Sequence, residues 1–464
     1  MSRILSSLML CGWFACCQFA VAGPQVASPE QLQRVLSDDP AVRAAIIAEL
    51  RKNGPASLPR LFELRDKILA EATGEKERLS RVETAIDEVA AQRHACHSRL
   101  YWYTDLNKAK QVAAKEKKPI LSLWMLGNLN EDFSCANSRF FRTTLYANAE
   151  ISQLLRDKFV LHWKSVRPVP KVTIDFGDGR KLERTLTGNS IHYVLAADGQ
   201  IIDALPGLYG PAAFIEHLNT ALNTAVQVSD MTFDARMQHL VAHHRAQLQQ
   251  LETAWAQDYQ EASRLLGSAE PAEMVQRMEL LKEALAQPIS AQRAEPPQAA
   301  AAARVAAPKW IVEMPLVRAA IPTRADDPVN VTDERLWKII AELHVKAAKL
   351  DEASLKLIRS ENPIAAHAAR LAITKRVVED PLVRLVRSLE SSIAIDTVRN
   401  EYQFHRQIHN WLAEQPGTNV EVFNERVYAQ LFLTPSSDPW LGLAPVDAYT
   451  ALPNGGVARE QPQQ

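Results

Sequence analysis

The sequence predicts an α/β domain in the middle of the chain, flanked on both sides by mainly α-helical regions. Three observations carry that expectation. Ile120–Leu126 is an unbroken apolar run of the kind a fully buried strand has. Two turn sequences, Gly177-Asp178-Gly179 and Asp198-Gly199, each join a pair of short strand-like runs. Before and after this zone, apolar residues return at helical spacing.

Residues 23–95 read as a helical N-terminal region. Asp39-Pro40 is a start signal, with Pro in the first helical position, and Val42, Ile46, Ile47 and Leu50 follow on one face. Asn53-Gly54-Pro55 ends that helix, and two more are expected from about Ser57 to Ala72 and from Glu77 to Ala95. The α/β part spans 96–228. Thr104 is expected to cap a helix that ends before Pro119, where the first strand begins. A helix over Ser138–Lys158 and a strand at Phe159–Trp163 follow. A hairpin is expected at Val172–Phe176 with Lys181–Thr187, and strands at Ile191–Ala196 and Gln200–Ala204. Pro211 then opens a helix. Trp163–Pro170 carries two prolines within three residues, which suits an edge or extended segment that walls a groove.

Residues 229–284 read as a long helical segment, 285–320 as an Ala- and Pro-rich linker, and 321–454 as a helical C-terminal domain. A disordered tail is expected over 455–464. Pro439-Trp440-Leu441-Gly442-Leu443 offers an apolar tip that covers helices or meets a partner.

Composition narrows the function classes. The 464 residues carry 53 Lys and Arg against 54 Asp and Glu, a net charge of −1, which gives no footprint for nucleic acid or an anionic membrane. Residues 1–22 have the form of a cleaved secretory signal: Arg3, an uncharged apolar run over Ile4–Phe19, then Ala20-Val21-Ala22. The expected address is therefore periplasmic or secreted, with no transmembrane span after signal removal. Of the 5 cysteines, Cys96 and Cys135 lie beyond the signal. An oxidising address invites a disulfide between them, and closing that loop would contribute about 4 kcal/mol in the chain-entropy model.

Several stretches carry a resemblance: Ser98-Arg99-Leu100-Tyr101-Trp102, Lys118-Pro119-Ile120-Leu121, Phe133-Ser134-Cys135-Ala136-Asn137-Ser138-Arg139, Gly188-Asn189-Ser190-Ile191-His192 and Asp198-Gly199. Through them residues 99–220 resemble bacterial thioredoxin-like proteins, and with its flanks the chain is similar to a family of large secreted thioredoxin-domain proteins. The resemblance implies a thiol at a helix start, where amide hydrogens and the helix dipole favour thiolate. It places Cys135 there. Ser138 stands where a resolving cysteine belongs, and Ile191 where a cis-proline belongs. Asn189, Ile191, His192 and Arg139 then mark the substrate groove.

Three readings of Cys135 stay open: a structural bridge to Cys96 or a buried thiol, a single-thiol redox site using Ser138 and Arg139, and a metal site with Cys96 and His97 or His192. The functional expectation is a periplasmic or secreted thioredoxin-like protein, centred on Cys135 as a thiol-disulfide or single-thiol redox site. Its alternative is a non-catalytic envelope scaffold in which Cys96 and Cys135 are bridged. The partner is an unknown protein or a thiol/disulfide substrate, with no cofactor and no metal expected. Arg139, Arg142, Lys164, Arg167 and Lys171 could rim an anion site, but charged strand edges are routine. Arg93 stands where Cys96-His97 would need a first haem-attaching cysteine. His239 with His243, and His405 with His409 after Glu401, each share a helix face, as a metal pair requires. No third ligand follows from the sequence, and solvated or hydrogen-bonded histidines are the expectation.

Overall fold

The computed structural model describes residues 26–71, 76–185, 188–266, 334–361 and 381–441. They fall into two units, divided between Val82 and Glu83. The signal segment, the linker at 285–320 and the tail at 455–464 lie outside the described residues.

In the first unit, helix starts are fixed by side chains. At α1 (Pro29–Val35) a capping box forms: Gln31 N donates to Ser28 Oγ at 3.2 Å and Ser28 N donates to Gln31 Oε1 at 2.7 Å. Asp39 Oδ1 accepts from Ala41 N at the start of α2 (Pro40–Lys52), the cap its sequence announces. Ile46 and Leu50 of α2 and Leu61, Phe62 and Ile68 of α3 (Leu58–Ala70) are buried. Arg81, in α4 (Lys76–Ala90), donates to Leu36 O at 2.8 Å and closes the end of α1.

The second unit begins within α4 and continues through a single turn, α5 (Ala95–Ser98), to α6 (Leu106–Glu116). Asp105, rather than Thr104, caps α6: its carboxylate accepts from Asn107 N and Lys108 N. Next come β1 (Ile120–Leu126), α7 (Ala136–Phe140), α8 (Ala149–Lys158) and β2 (Val160–Arg167). They are followed by β3 (Lys171–Asp175), β4 (Lys181–Thr185), β5 (Ser190–Leu195), β6 (Ile201–Pro206) and α9 (Pro211–Val228). The helix expected over Ser138–Lys158 is interrupted by a π turn at Phe141–Leu145. Thr143 and Thr144 hydroxyls both donate to Phe140 O, competing with the helical ladder, and Asn148 then recaps α8.

The main sheet runs β2-β1-β5-β6, with β1 parallel to β2, β5 antiparallel to β1, and β6 antiparallel to β5. β1, β5 and β6 are buried along their whole length, which is why their sequences read as apolar runs without alternation. β2 lies at the edge and stops before Pro168. β3 and β4 form a separate hairpin, as the Gly177-Asp178-Gly179 turn predicts.

Alternation along β5 assigns the two faces. His192 meets Phe141 of the π turn and Phe214 of α9, whereas its neighbour Tyr193 meets Trp124 and Phe423. Phe423 belongs to α15 (Val420–Gln430), so helices cover both faces. Between α9 and α15 the described chain contains α10 (Phe233–Leu266), α11 (Glu334–Leu343), α12 (Glu352–Glu361) and α13 (Pro381–Arg399). A π turn (Asn400–His405) and α14 (Arg406–Glu414) complete it. The described part of 321–454, expected to be a helical C-terminal domain, is helical and shares one hydrophobic core with the sheet. Polar ties reinforce that packing: Gly210 N donates to Thr397 Oγ1 at 2.7 Å, and Asn400 Nδ2 donates to Leu208 O at 2.7 Å. A side chain at Gly210 would collide with the Ala347 carbonyl, so only glycine permits this approach. No described helix is long and apolar enough to cross a membrane.

Candidate functional site

Cys135 sits where the sequence places it, at the start of the helix that follows β1, but its surroundings differ from a reactive thiol's. Its side chain has 0% exposure and belongs to the hydrophobic core. Its N–H donates to Leu126 O at 3.1 Å, and its thiol donates to Ser138 Oγ at 3.4 Å. Ser138 Oγ in turn lies 2.7 Å from Ser134 Oγ and 2.8 Å from Cys135 O. Ser138 is therefore a buried structural partner. Helix α7 has 5 residues before the π turn, too few to give a strong terminal dipole.

Cys96 and Cys135 both remain thiols, so the expected disulfide is absent. Cys96 is half-buried on α5 while Cys135 is enclosed.

The expected substrate groove is also closed. Asn189 Nδ2 donates to Thr434 Oγ1 at 2.9 Å, and Asn189 O accepts from Tyr428 OH at 3.2 Å. Ile191 is 0% exposed, on an ordinary trans peptide. His192 Nε2 lies 2.7 Å from Tyr146 OH, and burial lowers this imidazole to about 3. Arg139 donates to Thr185 Oγ1 at 2.8 Å. The chain's own C-terminal segment lies against Asn189. Arg167 fastens it, donating to the carbonyls of Thr434, Pro435 and Asp438.

An open groove of about 710 Å³ does lie beside the loop leading to Cys135. Arg93, Asn128, Asp132 and Phe133 line it with Val169 and Lys171, so the proline-flanked end of β2 forms one wall, as expected. Arg142, buried and lowered to about 10 by that burial, donates to the carbonyls of Leu129, Glu131 and Asp132 and fixes the loop's shape.

A second cluster lies on the opposite edge of the sheet. Asp203 of β6 is 2% exposed, and among the described residues its ion-pair partners are His405 and His409. His405 Nε2 stands 3.1 Å and His409 Nδ1 3.8 Å from Asp203 Oδ1. His244 of α10 brings its Nδ1 to 2.9 Å from His409 Nδ1. His217 of α9 packs its ring 4.9 Å from that of His405. Burial lowers His217 and His244 to about 3, and holds His409 far below the usual imidazole range. Burial opposes the charge of Asp203, but the imidazoles of His405 and His409 outweigh it and hold the carboxyl well below its ordinary range. Among the described residues, His405 Nδ1, His243 Nε2 and Tyr209 OH are buried without hydrogen-bond partners.

Of the two histidine pairs found in the sequence, His405 and His409 enter this cluster together. His239 turns to Gln227 and His243 to Thr224. Asp203 and His244 escaped the sequence reading. A carboxylate inside Ile201-Ile202-Asp203-Ala204-Leu205 was the available signal, because a buried strand carries a charge only where a partner awaits it.

Comparison with protein-family models, with curated proteins and with solved structures returns no match.

Proposed function

We propose that the chain is a secreted or periplasmic thioredoxin-like protein that serves as a non-catalytic scaffold and binds a protein partner. A strand–helix–strand unit followed by an antiparallel strand pair and a helix, in the sheet order β2-β1-β5-β6, supports the thioredoxin-like reading. The observation that carries the scaffold reading is the complete burial of Cys135 within the hydrophobic core. A thiol must be reached by a disulfide sulfur before exchange can occur. The groove at residues 127–133 stays open, with Arg93 donating to Asp132 and Lys171 over the Phe133 ring, and suits an extended segment of a partner.

Thiol labelling of the folded protein tests this reading. Cys96 should react with a maleimide in the native state and Cys135 only after unfolding, and the protein should not reduce a disulfide substrate. Rapid native labelling of Cys135, together with turnover of such a substrate, would return the function to single-thiol redox chemistry.

A further inference from the structure

Asp203, His244, His405 and His409 come from β6, from α10 and from the junction of a π turn with α14, yet their side chains converge. We propose that Asp203, His244 and His409 form a buried binding site for one divalent transition metal ion of the zinc class, with His405 hydrogen-bonded to the Asp203 carboxylate beside them.

The spacing is the first argument. A tetrahedral ion with bonds of about 2.0–2.1 Å sets its ligand atoms about 3.3–3.4 Å apart. The observed separation is 2.9 Å for His244 Nδ1 to His409 Nδ1. That of His409 Nδ1 to Asp203 Oδ1 is 3.8 Å. The three donor atoms of Asp203, His244 and His409 all lie within 4.8 Å of one another. Small adjustments about these positions enclose an ion.

The second argument is electrostatic. Asp203 is buried with no lysine or arginine paired to it among the described residues. A buried carboxylate without a fixed cation is costly, and a divalent ion would supply the missing charge. Two imidazole ring nitrogens facing each other at 2.9 Å either form an N–H···N hydrogen bond or direct both lone pairs at a cation.

Local structure points the same way. His405 and His409 are one helical turn apart on one face, with ring centroids 4.1 Å apart. The π turn Asn400–His405 immediately precedes α14, and such insertions collect at functional sites. The donor set is two imidazoles and one carboxylate, which suits zinc or its first-row neighbours and gives no thiolate to select monovalent copper. All four side chains are 1–2% exposed. The site is closed to substrate, so the ion would clamp helices to the sheet edge instead of activating water.

Metal titration of the full chain, stripped with chelator and refolded where necessary, decides the matter. Zinc should bind with one equivalent, raise the thermal midpoint and give, with cobalt, the visible absorption of a four-coordinate site. His244→Gln and His409→Gln should each weaken zinc more than the roughly 10–100-fold that outer-shell partners contribute. His239→Gln, outside the cluster, should leave it unchanged. Two results overturn the proposal. One is a folded wild-type protein that takes up neither zinc nor cobalt, which would leave a hydrogen-bonded histidine cluster. The other is binding that survives loss of both His244 and His409. The wild-type cobalt spectrum keeps the test decisive even if a variant fails to fold. The outcome is independent of the state of Cys135.

Discussion

Cys135 and the Asp203 cluster are both wholly buried polar groups of the same unit, one beside β1 and the other on β6. Their satisfaction differs. Cys135 is a weakly polar thiol whose hydrogen bonds are met locally by Ser138 and by the backbone of Leu126, so burial costs little and leaves nothing over. The Asp203 cluster gathers a charge and several imidazoles from elements up to about two hundred residues apart, and among the described residues leaves His405 Nδ1 without a partner. A residue placed like a catalytic one can be buried and satisfied in a complete environment, and residues with no recognisable motif become candidates when theirs is not.

The largest expected effect follows from that contrast. Removing the bound ion should destabilise the second unit by about 3–4 kcal/mol when the metal is present at 100–1,000 times its dissociation constant, read as a chelator-dependent shift in the unfolding midpoint. A midpoint indifferent to chelator would dissolve the distinction between the two regions. Next in size is Tyr146→Phe. It strips His192 Nε2 of its partner while His192 Nδ1 is already without one, and should cost about 1–3 kcal/mol in denaturant unfolding.

Arg167→Ala sharpens the comparison from the cysteine side. Three carbonyls of the C-terminal segment lose their donor, and Cys135 should label faster in the native state while Cys96 is unaffected. Unchanged labelling of Cys135 would mean that this segment does not control access. Cys135→Ala should cost about 1 kcal/mol, the scale of one weak hydrogen bond and a small volume, with no change in partner binding.

The smallest effect concerns a histidine outside the cluster. His344 donates to Asp258, which also accepts from Tyr402 OH, and that bond raises the imidazole above its ordinary range, with burial opposing and Glu401 assisting. A raised folded-state value means the contribution is complete below about pH 6.5 and fades as the pH climbs through the folded value. His344 is 40% exposed, so the contribution should stay under about 1 kcal/mol. His344→Gln should flatten the pH dependence of the unfolding midpoint between pH 6 and 8 by that small amount.

Much of the fold was legible. Apolar runs located β1, β5 and β6, turn chemistry located the β3–β4 hairpin, and Asp39-Pro40 located α2, because each signal is local. The break at Phe141–Leu145 was hidden, since Thr143 and Thr144 compete with the helix only once their hydroxyls find Phe140 O. The sealing of the expected groove was hidden for a longer-range reason: Tyr428 and Thr434, which close over Asn189, lie more than two hundred residues away in sequence. The histidine site was half legible. The spacing of His405 and His409 announces a shared face, whereas nothing in the neighbourhood of Asp203 or His244 announces that they meet it.

Native mass spectrometry of the purified chain after brief exposure to an alkylating reagent tests the central claim most directly, with peptide mapping of the product. The account predicts one metal ion retained per chain, modification at Cys96 and none at Cys135. A chain that carries no metal and is alkylated at Cys135 as readily as at Cys96 would contradict it.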